Sequence, residues 1–269
     1  MASELTERTI YNGLFHLVHN PNAKGRAARY IVNGTEKPKG VTTIIGQTLA
    51  KDLMDWAVDC AIEYLKDRLP VVTEHDLEVA SKAYTKKRDF GASTGTEAHA
   101  LVEHYLKGEA TSIDGVSKEA QNAFRAFVEW FEAMTPGVVN VEETIYSKEY
   151  GYAGTYDCTL KIGDKTILCD LKTTNSSRKA PKGIYPEHFI QLGAYALAHN
   201  EQRLYEEAHG GTALQEIDDL MLISAKKNGK LDVVKASDIG LSVEDCGQLF
   251  KEVLHLHQYV TEVSKKLEV

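Results

Sequence analysis

The sequence has no apolar run near the ~20 residues that cross a bilayer, and its first residues, MASELTERTI, carry no signal-peptide pattern. We therefore expect a cytoplasmic protein with no membrane partner. Cysteine is scarce, and the four residues of this type are Cys60, Cys158, Cys169 and Cys246. Their scattered positions include no CxxC pair of the kind that binds zinc or an iron–sulfur cluster, so neither is expected.

The sequence has fewer basic than acidic residues. Lys and Arg number 31 against 39 Asp and Glu, a net charge of −8, which excludes a protein coated with basic surface. This balance does not exclude nucleic acid as a partner, because local basic patches decide contact with phosphate. Internal repeats, low-complexity tracts and obvious linkers are also absent from the sequence. We predict one α/β domain over residues 1–269, with a mainly helical elaboration in 1–90 and the core in 91–269.

Residues Gly151–Thr173 organise the chain. They contain two runs of alternating residues on either side of Gly163-Asp164, a pair suited to a two-residue hairpin turn. The resulting register puts Asp157 directly opposite Asp170, in a pair without hydrogen bonds whose Cβ atoms are roughly 4.5–5.5 Å apart. Alternation places Lys172 on the same face as Asp170. The opposite face is predicted to be a core surface made of Cys158, Leu160, Ile162, Ile167, Cys169 and Leu171.

Two carboxylates held that close repel each other, and a divalent cation between them is the simplest way to make the arrangement favourable. Such a pair with a nearby lysine suits phosphodiester hydrolysis, because the carboxylates can hold Mg²⁺ or Mn²⁺, which polarises the phosphate and acidifies a water. Lys172 can orient that water or neutralise charge in the transition state. The backbone carbonyl of Leu171 can complete the coordination. A lone D-x-K on a strand is more often a solvated face, so this interpretation depends on Asp157.

A short motif predicts the helix that carries His99. After a loop at Phe90–Ser93, the residues from Thr94 to Glu97 match a capping box, with Thr94 as N-cap. The helix is then expected to run to about Lys107, with His99 in its first turns. Periodicity and turn residues predict further helices at about 52–69, 74–88, 117–135, 186–200 and from 243, and strands at about 30–32, 138–147, 219–226 and 231–236.

The last predicted helix contains a regular apolar stripe. Its core-facing residues are expected to be Leu249, Val253, Leu256, Val260, Val263 and Leu267. His255 and His257 resemble a metal-binding pair, but a helix separates their side chains by about 200°, so we interpret them as bystanders.

Four motifs follow one another along the chain in the order typical of one enzyme family. They are Gly95-Thr96-Glu97-Ala98-His99, Gly154-Thr155-Tyr156-Asp157, Asp170-Leu171-Lys172-Thr173 and, on a helix, Gln191 with Tyr195. With them the sequence resembles the PD-(D/E)XK nuclease superfamily, and within it the RecB-like exonucleases, which include phage enzymes and the mitochondrial genome maintenance exonuclease. The resemblance implies a restriction-endonuclease-like core, in which helices flank a mixed central sheet, with a helical N-terminal elaboration.

The resemblance also implies roles for individual residues. The expected ligands of Mg²⁺ or Mn²⁺ are His99, Asp157, Asp170 and the carbonyl of Leu171. A glutamate on the preceding strand often joins the site, and Glu143 matches better than Glu142. Lys172 is the expected catalytic lysine. The expected DNA-binding residues at the motifs are Gln191, Tyr195 and Thr173. The positions of Arg88, Arg178, Lys179 and Lys182, on either side of the catalytic elements, predict further DNA contacts, because a channel for a phosphate backbone needs positive charge there.

These roles predict a metal-dependent DNA exonuclease of recombination, repair or phage DNA metabolism, in a bacterial or phage-infected cell. Its partner is expected to be DNA, as single strands or duplex ends. Two alternatives stay open: a structure-specific endonuclease with the same site, and a DNA-end-binding module without catalysis. Some relatives bind an iron–sulfur cluster through four cysteines, which the cysteine spacing here does not support.

Overall fold

The computed structural model describes residues 5–24, 27–49, 53–174, 182–211 and 214–267. A mixed sheet is flanked by helices on both faces, which confirms the predicted fold class. The strands are β1 (Thr6–Ile10), β2 (Phe15–His19), β3 (Tyr30–Val32), β4 (Lys39–Gly40), β5 (Gly137–Ser147), β6 (Tyr152–Ile162), β7 (Lys165–Thr174), β8 (Asp219–Lys226) and β9 (Leu231–Lys235). The helices are α1 (Val41–Thr48), α2 (Met54–Lys66), α3 (Glu74–Ser81), α4 (Ala83–Leu106), α5 (Lys118–Met134), α6 (Pro186–Ala208) and α7 (Val243–Leu267). Among the described residues, no helix combines the length and the apolar character that crossing a membrane requires.

Strand β6 has three neighbours in the central sheet. Strand β5 pairs antiparallel along most of one edge of β6. Because a strand has only two edges, β4 and β7 share the other one: β4 pairs in parallel at Tyr152 and Ala153, and β7 pairs antiparallel from Cys158 to Ile162. The described ladders leave residues 154–157 between them, so the sheet edge opens there. Beyond β7, β8 runs parallel and β9 antiparallel.

The hairpin of β6 and β7 has the predicted register. Paired residues from Cys158 with Cys169 to Ile162 with Lys165 have numbers that sum to 327. Gly163 has φ 60°, which the first central residue of a primed two-residue turn requires. The apolar residues predicted to share one face all lie in one core layer, with Ile162 packed at its margin.

Two core layers hold the helices against the sheet. Helices α4 and α5 cover one face, where Phe127 shares a buried cluster with Leu160. Helices α1, α6 and α7 cover the other face, where Leu192 and Phe250 share a cluster with Leu168. Strand β8 is buried along its whole length, as expected for a strand covered on both sides.

The prediction that residues 1–90 are mainly helical is wrong for the described residues before Val41. Strands β1, β2 and β3 form a separate antiparallel sheet, and β4 joins the central sheet. Leu17 and Val32 of the small sheet are buried with Tyr146 and Ala153, which belong to β5 and β6. Strand β3 matches the strand predicted at 30–32, whereas β1 and β2, with five residues each, give too little alternation to be distinguished from loops in the sequence.

The predicted loop at Phe90–Ser93 and the capping box at Thr94 are also wrong, because α4 runs through both without a break. Thr94 is buried, and its hydroxyl donates to the carbonyl of Phe90 within the helix. Glu97 instead contacts the start of the next helix. Its Oε2 accepts a hydrogen bond from the N–H of Ser117, the N-cap of α5, at 3.0 Å. The Gly-, Ser- and Thr-rich sequence is a poor helix former, but packing on the sheet outweighs that weak preference. The predicted boundary at residue 90 therefore falls inside a helix.

The buried face of α7 differs from the predicted one. The residues that α7 buries are Cys246, Gly247, Phe250, Val253, Leu254 and His257. Of the predicted stripe, Val253 alone is buried. Both sets of residues have helical spacing, so only the position of α1 and α6 decides between them. His257 is part of this packing: its Nε2 accepts from Nζ of Lys39 at 2.9 Å, and its Nδ1 lies 3.2 Å from Oγ1 of Thr48.

Candidate active site

An irregularity in β6 positions the candidate site. The pairing of β6 with β7 stops at Cys158 and Cys169. Tyr156 packs in the core layer of α6 and α7, whereas Cys158 packs in the layer of α4 and α5. The alternation of side chains along β6 therefore breaks at Asp157, where the sheet edge opens.

Asp157 does not face Asp170 as a ladder pair, which corrects the predicted geometry. Its Oδ2 accepts from the backbone N–H of Leu171 at 2.6 Å. Its Oδ1 lies 3.5 Å from Nδ1 of His99, which α4 contributes. The carboxylate thus reaches from β6 to the backbone of β7 and to α4, and each contact offsets part of its negative charge.

Glu142, and not Glu143, lies beside Asp157. Glu142 has φ 53°, a conformation that residues with a side chain rarely adopt, and the ladder of β5 with β6 skips it. This local turn of the backbone brings its carboxylate to His99 and Asp157. Glu143 forms an ion pair with Arg8 of β1 instead. The preference for Glu143 is therefore corrected, because side-chain alternation sends the two glutamates to different surroundings.

Three side chains converge on a small recess. His99, Glu142 and Asp157 each offer a ligand atom, and these atoms all lie within 4.8 Å of one another. The three line a recess of about 10 Å³, roughly the space for one water-sized sphere, together with Leu171. One imidazole nitrogen and two carboxylates form a donor set that suits a divalent cation such as Mn²⁺. The residues present therefore fit the ion that the sequence predicts.

The charges in this cluster depend strongly on one another. Burial, and then the negative charge of Asp157, raise the pKa of Glu142 to about 8. Burial alone would lower the pKa of His99, but the carboxylate of Asp157 raises it to about 8. Burial would raise the pKa of Asp157, but His99, Lys172 and the Leu171 N–H hold it below its usual range. Without metal, the environment thus favours the ionised form of Asp157 and the protonated forms of His99 and Glu142.

Asp170 occupies a second, more deeply buried position. Its Oδ2 lies 2.5 Å from Nζ of Lys172. That approach lacks hydrogen-bond geometry, and among the described residues this buried oxygen has no hydrogen-bond partner. Burial raises the pKa of Asp170 to about 6, although Lys172 opposes the shift. A buried carboxylate oxygen that is paired with an ammonium but accepts no aligned hydrogen bond can also act as a ligand for a cation.

Helix α6 supports this second position through Gln191. Its Nε2 donates to Oδ1 of Asp170 at 3.4 Å and to the hydroxyl of Tyr195 at 2.8 Å, and its Oε1 accepts from Lys172 at 3.2 Å. Tyr195 is only 3% exposed, so it has no surface to offer to DNA. Its predicted role is corrected from DNA contact to support of Gln191. A Cβ on Gly154 would lie 2.6 Å from Cε1 of Tyr195, so the glycine of the G-x-x-D motif makes room for that ring.

The remaining predicted DNA-binding residues lie on β7, on α4 and just before α6, or beyond the described part of the chain. Thr173 is at the end of β7, close to α4: a Cβ on Gly95 would come within 3.1 Å of its Oγ1. Arg88 is on α4, exposed, and paired with its neighbour Asp89. Lys182 is exposed just before α6. Arg178 and Lys179 lie outside the described residues.

A family model matches the part of the sequence that forms this site. The model of the PD-(D/E)XK nuclease superfamily matches residues 82–266, more than two thirds of the chain. The chain belongs to this superfamily. Among solved structures, an alkaline exonuclease from Laribacter hongkongensis is similar over 64% of this chain and 86% of its own. The identity is 13% and the TM-score is 0.28. No curated protein sequence matches the chain.

The region matched to the nuclease superfamily contains all the residues of the cluster, whereas strands β1 to β4 and helices α1 to α3 precede it. The motifs of the sequence lead directly to His99, Asp157, Asp170 and Lys172. For the glutamate of the site, the motifs favour Glu143 over Glu142. The position of the Glu142 carboxylate depends on a positive φ. Glutamate rarely adopts this conformation, so the sequence gives no reason to expect it.

Proposed function

We propose that this nuclease superfamily member is a Mg²⁺- or Mn²⁺-dependent deoxyribonuclease that hydrolyses phosphodiester bonds from DNA ends, in recombination, repair or phage DNA metabolism. The observation that carries the proposal is the convergence of His99, Glu142, Asp157 and Asp170, with Lys172, at the open edge of β6. A module that only binds DNA has no need for buried carboxylates such as Glu142 and Asp170, whose pKa values are raised by burial and by the charge of Asp157. A hydrolase needs them to hold a cation.

The metal ligands in this proposal are His99, Glu142 and Asp157, with Asp170 and the carbonyl of Leu171 as further donors. When bound, the ion supplies polarisation of the scissile phosphate and a water of lowered pKa. Because Mg²⁺ prefers oxygen ligands alone and imidazole suits softer ions, the histidine favours Mn²⁺.

Lys172 supplies the positive charge next to the reacting phosphate. Its ammonium is held between Oδ2 of Asp170 and Oε1 of Gln191, so its position is fixed before substrate arrives. A preorganised charge of this kind stabilises the negative charge that develops on the phosphate. Gln191 positions both partners, because its amide contacts Asp170 and Lys172 at the same time.

The DNA strand is proposed to reach the cluster past Thr173 and the exposed side chains of Arg88 and Lys182. Arg178 and Lys179 add two positive charges in the same stretch of sequence as Lys182. Contacts of this type bind the phosphate backbone without reading the sequence, and they weaken as salt is raised.

The test compares DNA with and without ends. End-labelled linear DNA and covalently closed circles, each single- and double-stranded, are incubated with Mg²⁺, Mn²⁺ or EDTA. The proposal expects short products from linear DNA, survival of closed circles, and no cleavage in EDTA. Efficient cutting of closed circles would show an endonuclease with the same site. DNA binding without cleavage in either metal would show an end-binding module.

A further inference from the structure

Helix α7 carries an apolar stripe that the fold of its own chain leaves largely in solvent. Its exposed members Leu249, Leu256, Val260 and Leu267 are 44%, 49%, 52% and 81% exposed. Val253 and Val263 continue the stripe, the first buried and the second partly exposed. We call these six residues the outer stripe. They are separated by alternating intervals of four and three residues.

This spacing is the repeat of a coiled-coil seam, in which apolar residues recur every 3.5 residues on average. At 3.6 residues per turn, the outer stripe lies about a quarter-turn around α7 from the face that packs on α1 and α6. The two faces meet at Val253. Helix α7 thus buries one face inside the domain and exposes a second face, which has the spacing of a helix–helix contact.

We propose that the outer stripe pairs with the same stripe of a second copy of this chain, with the two α7 helices antiparallel about a two-fold axis. In this register, residue numbers of facing positions sum to 516. The stripe is self-complementary in that register, because each member then faces another member. The layers are Leu249 against Leu267, Val253 against Val263 and Leu256 against Val260 of the second copy.

Charges beside the outer stripe favour the antiparallel direction. Glu252 and Lys266 lie on the same flank of the stripe, near its opposite ends, and both are exposed. Antiparallel pairing brings Glu252 near Lys266 of the second copy, twice per dimer. Parallel pairing would instead bring this flank against the opposite flank of the second copy, where Phe250 and His257 are already buried inside their own domain. Tyr259, 63% exposed, lies on this flank close to the two-fold axis.

The size of the contact sets the expected strength of the dimer. The outer stripe spans 249–267, about 27 Å of helix at 1.5 Å per residue. A single pair of helices this long buries less than the roughly 800 Å² per partner of a standard interface. We therefore expect an equilibrium between monomer and dimer that shifts with protein concentration.

Sedimentation of the full chain over a range of concentrations measures this equilibrium. The wild type should change from monomer to dimer, and Leu256→Glu should weaken the dimer about tenfold or more. His255→Glu is the matched control, because His255 is exposed on the other side of α7, and it should leave the equilibrium unchanged. Circular dichroism checks that both variants fold. A wild type that stays monomeric at every concentration, or a Leu256→Glu variant that dimerises like the wild type, overturns the proposal.

Cross-linking tests the direction of pairing. The cysteines of the wild type are buried, so a single surface cysteine can be addressed by a short bismaleimide. Neither Leu249→Cys nor Leu267→Cys alone should form a cross-linked dimer, whereas a mixture of the two variants should. Cross-linking of Leu249→Cys with itself would show parallel pairing and overturn the proposed arrangement. Failure of the mixture to cross-link would overturn it as well.

Discussion

At the residue scale, the carboxylates of the site are not a simple repelling pair. Asp157 has a partner in His99 and in the N–H of Leu171, whereas Asp170 has Lys172 and the amide of Gln191. The two aspartates nevertheless differ in how their surroundings affect ionisation. The pKa of Asp157 is lowered, so its ionised form is favoured, whereas the pKa of Asp170 is raised. The sequence motifs select His99, Asp157, Asp170 and Lys172, but the contacts of the two aspartates and the opposite signs of their pKa shifts depend on burial and on α4 and α6.

The opposite shifts predict opposite effects on stability in EDTA. Above the folded pKa of Asp170, about 6, its ionised form opposes folding, so Asp170→Asn should raise the free energy of unfolding by on the order of 1–3 kcal/mol. The lowered pKa of Asp157 means that its ionised form supports folding, so Asp157→Asn should lower that free energy. Urea denaturation at a pH well above 6 measures both. Two shifts of the same sign would contradict the charge distribution described here.

The two adjacent glutamates provide a matched pair of variants. Glu142→Gln removes a ligand from the recess and should weaken Mn²⁺ binding about tenfold or more, as measured by calorimetry. Glu143→Gln disturbs the ion pair with Arg8 and should leave Mn²⁺ affinity within a few-fold of the wild type. A larger loss of Mn²⁺ affinity in Glu143→Gln than in Glu142→Gln would show that Glu143 is the metal ligand.

At the element scale, the parts predictable from sequence are those whose signal is local. The hairpin follows from period-two alternation and a Gly-Asp turn, and its register is as predicted. The start of α4 and the buried face of α7 are not predictable in this way. The residues 90–95 have the composition of a loop, and α7 has two stripes with equal helical spacing, so tertiary packing decides both.

The close approach of α6 to β6 predicts the effect of one glycine substitution. Gly154→Ala would place its Cβ 2.6 Å from the Tyr195 ring and 3.1 Å from Val41. It should lower stability by about 1–3 kcal/mol and lower kcat, because Tyr195 holds Gln191. Gly46→Ala is the control: no atom lies within 4 Å of its Cβ, and alanine should stabilise α1 by about 0.5–1 kcal/mol. Thermal unfolding and steady-state kinetics distinguish the two, and equal effects would contradict the described packing.

At the scale of the whole molecule, the N-terminal sheet is the largest departure from the sequence-based expectation. Arg8 of β1 reaches the ion pair with Glu143 and donates to the carbonyl of Thr144 at 2.9 Å. This contact joins residues 136 positions apart, so no local pattern in the sequence predicts it. The fold class and four of the main site residues follow from ordered motifs between residues 95 and 195, whereas the docking of this sheet beside β5 depends on the complete fold.

Metal binding predicts a stability change of the whole molecule. If the cluster holds the proposed cation in the folded chain alone, Mn²⁺ should raise the unfolding temperature of the wild type, increasingly with its concentration. Asp157→Asn should gain much less, since one ligand is lost. Thermal unfolding with increasing Mn²⁺, against EDTA, measures the difference. An equal gain in both proteins would place the ion elsewhere.

The central claim is that the cluster at the open edge of β6 cleaves DNA with the help of Lys172. Its most direct test is the rate of cleavage of end-labelled linear DNA in Mn²⁺ by the wild type, Lys172→Ala and Lys165→Ala. Lys165 is on the same strand, at its opposite end, and serves as the control. The account predicts that Lys172→Ala loses about 10²–10³-fold in rate while DNA affinity stays within several-fold, and that Lys165→Ala cuts like the wild type. Cleavage by Lys172→Ala at a near wild-type rate would contradict it.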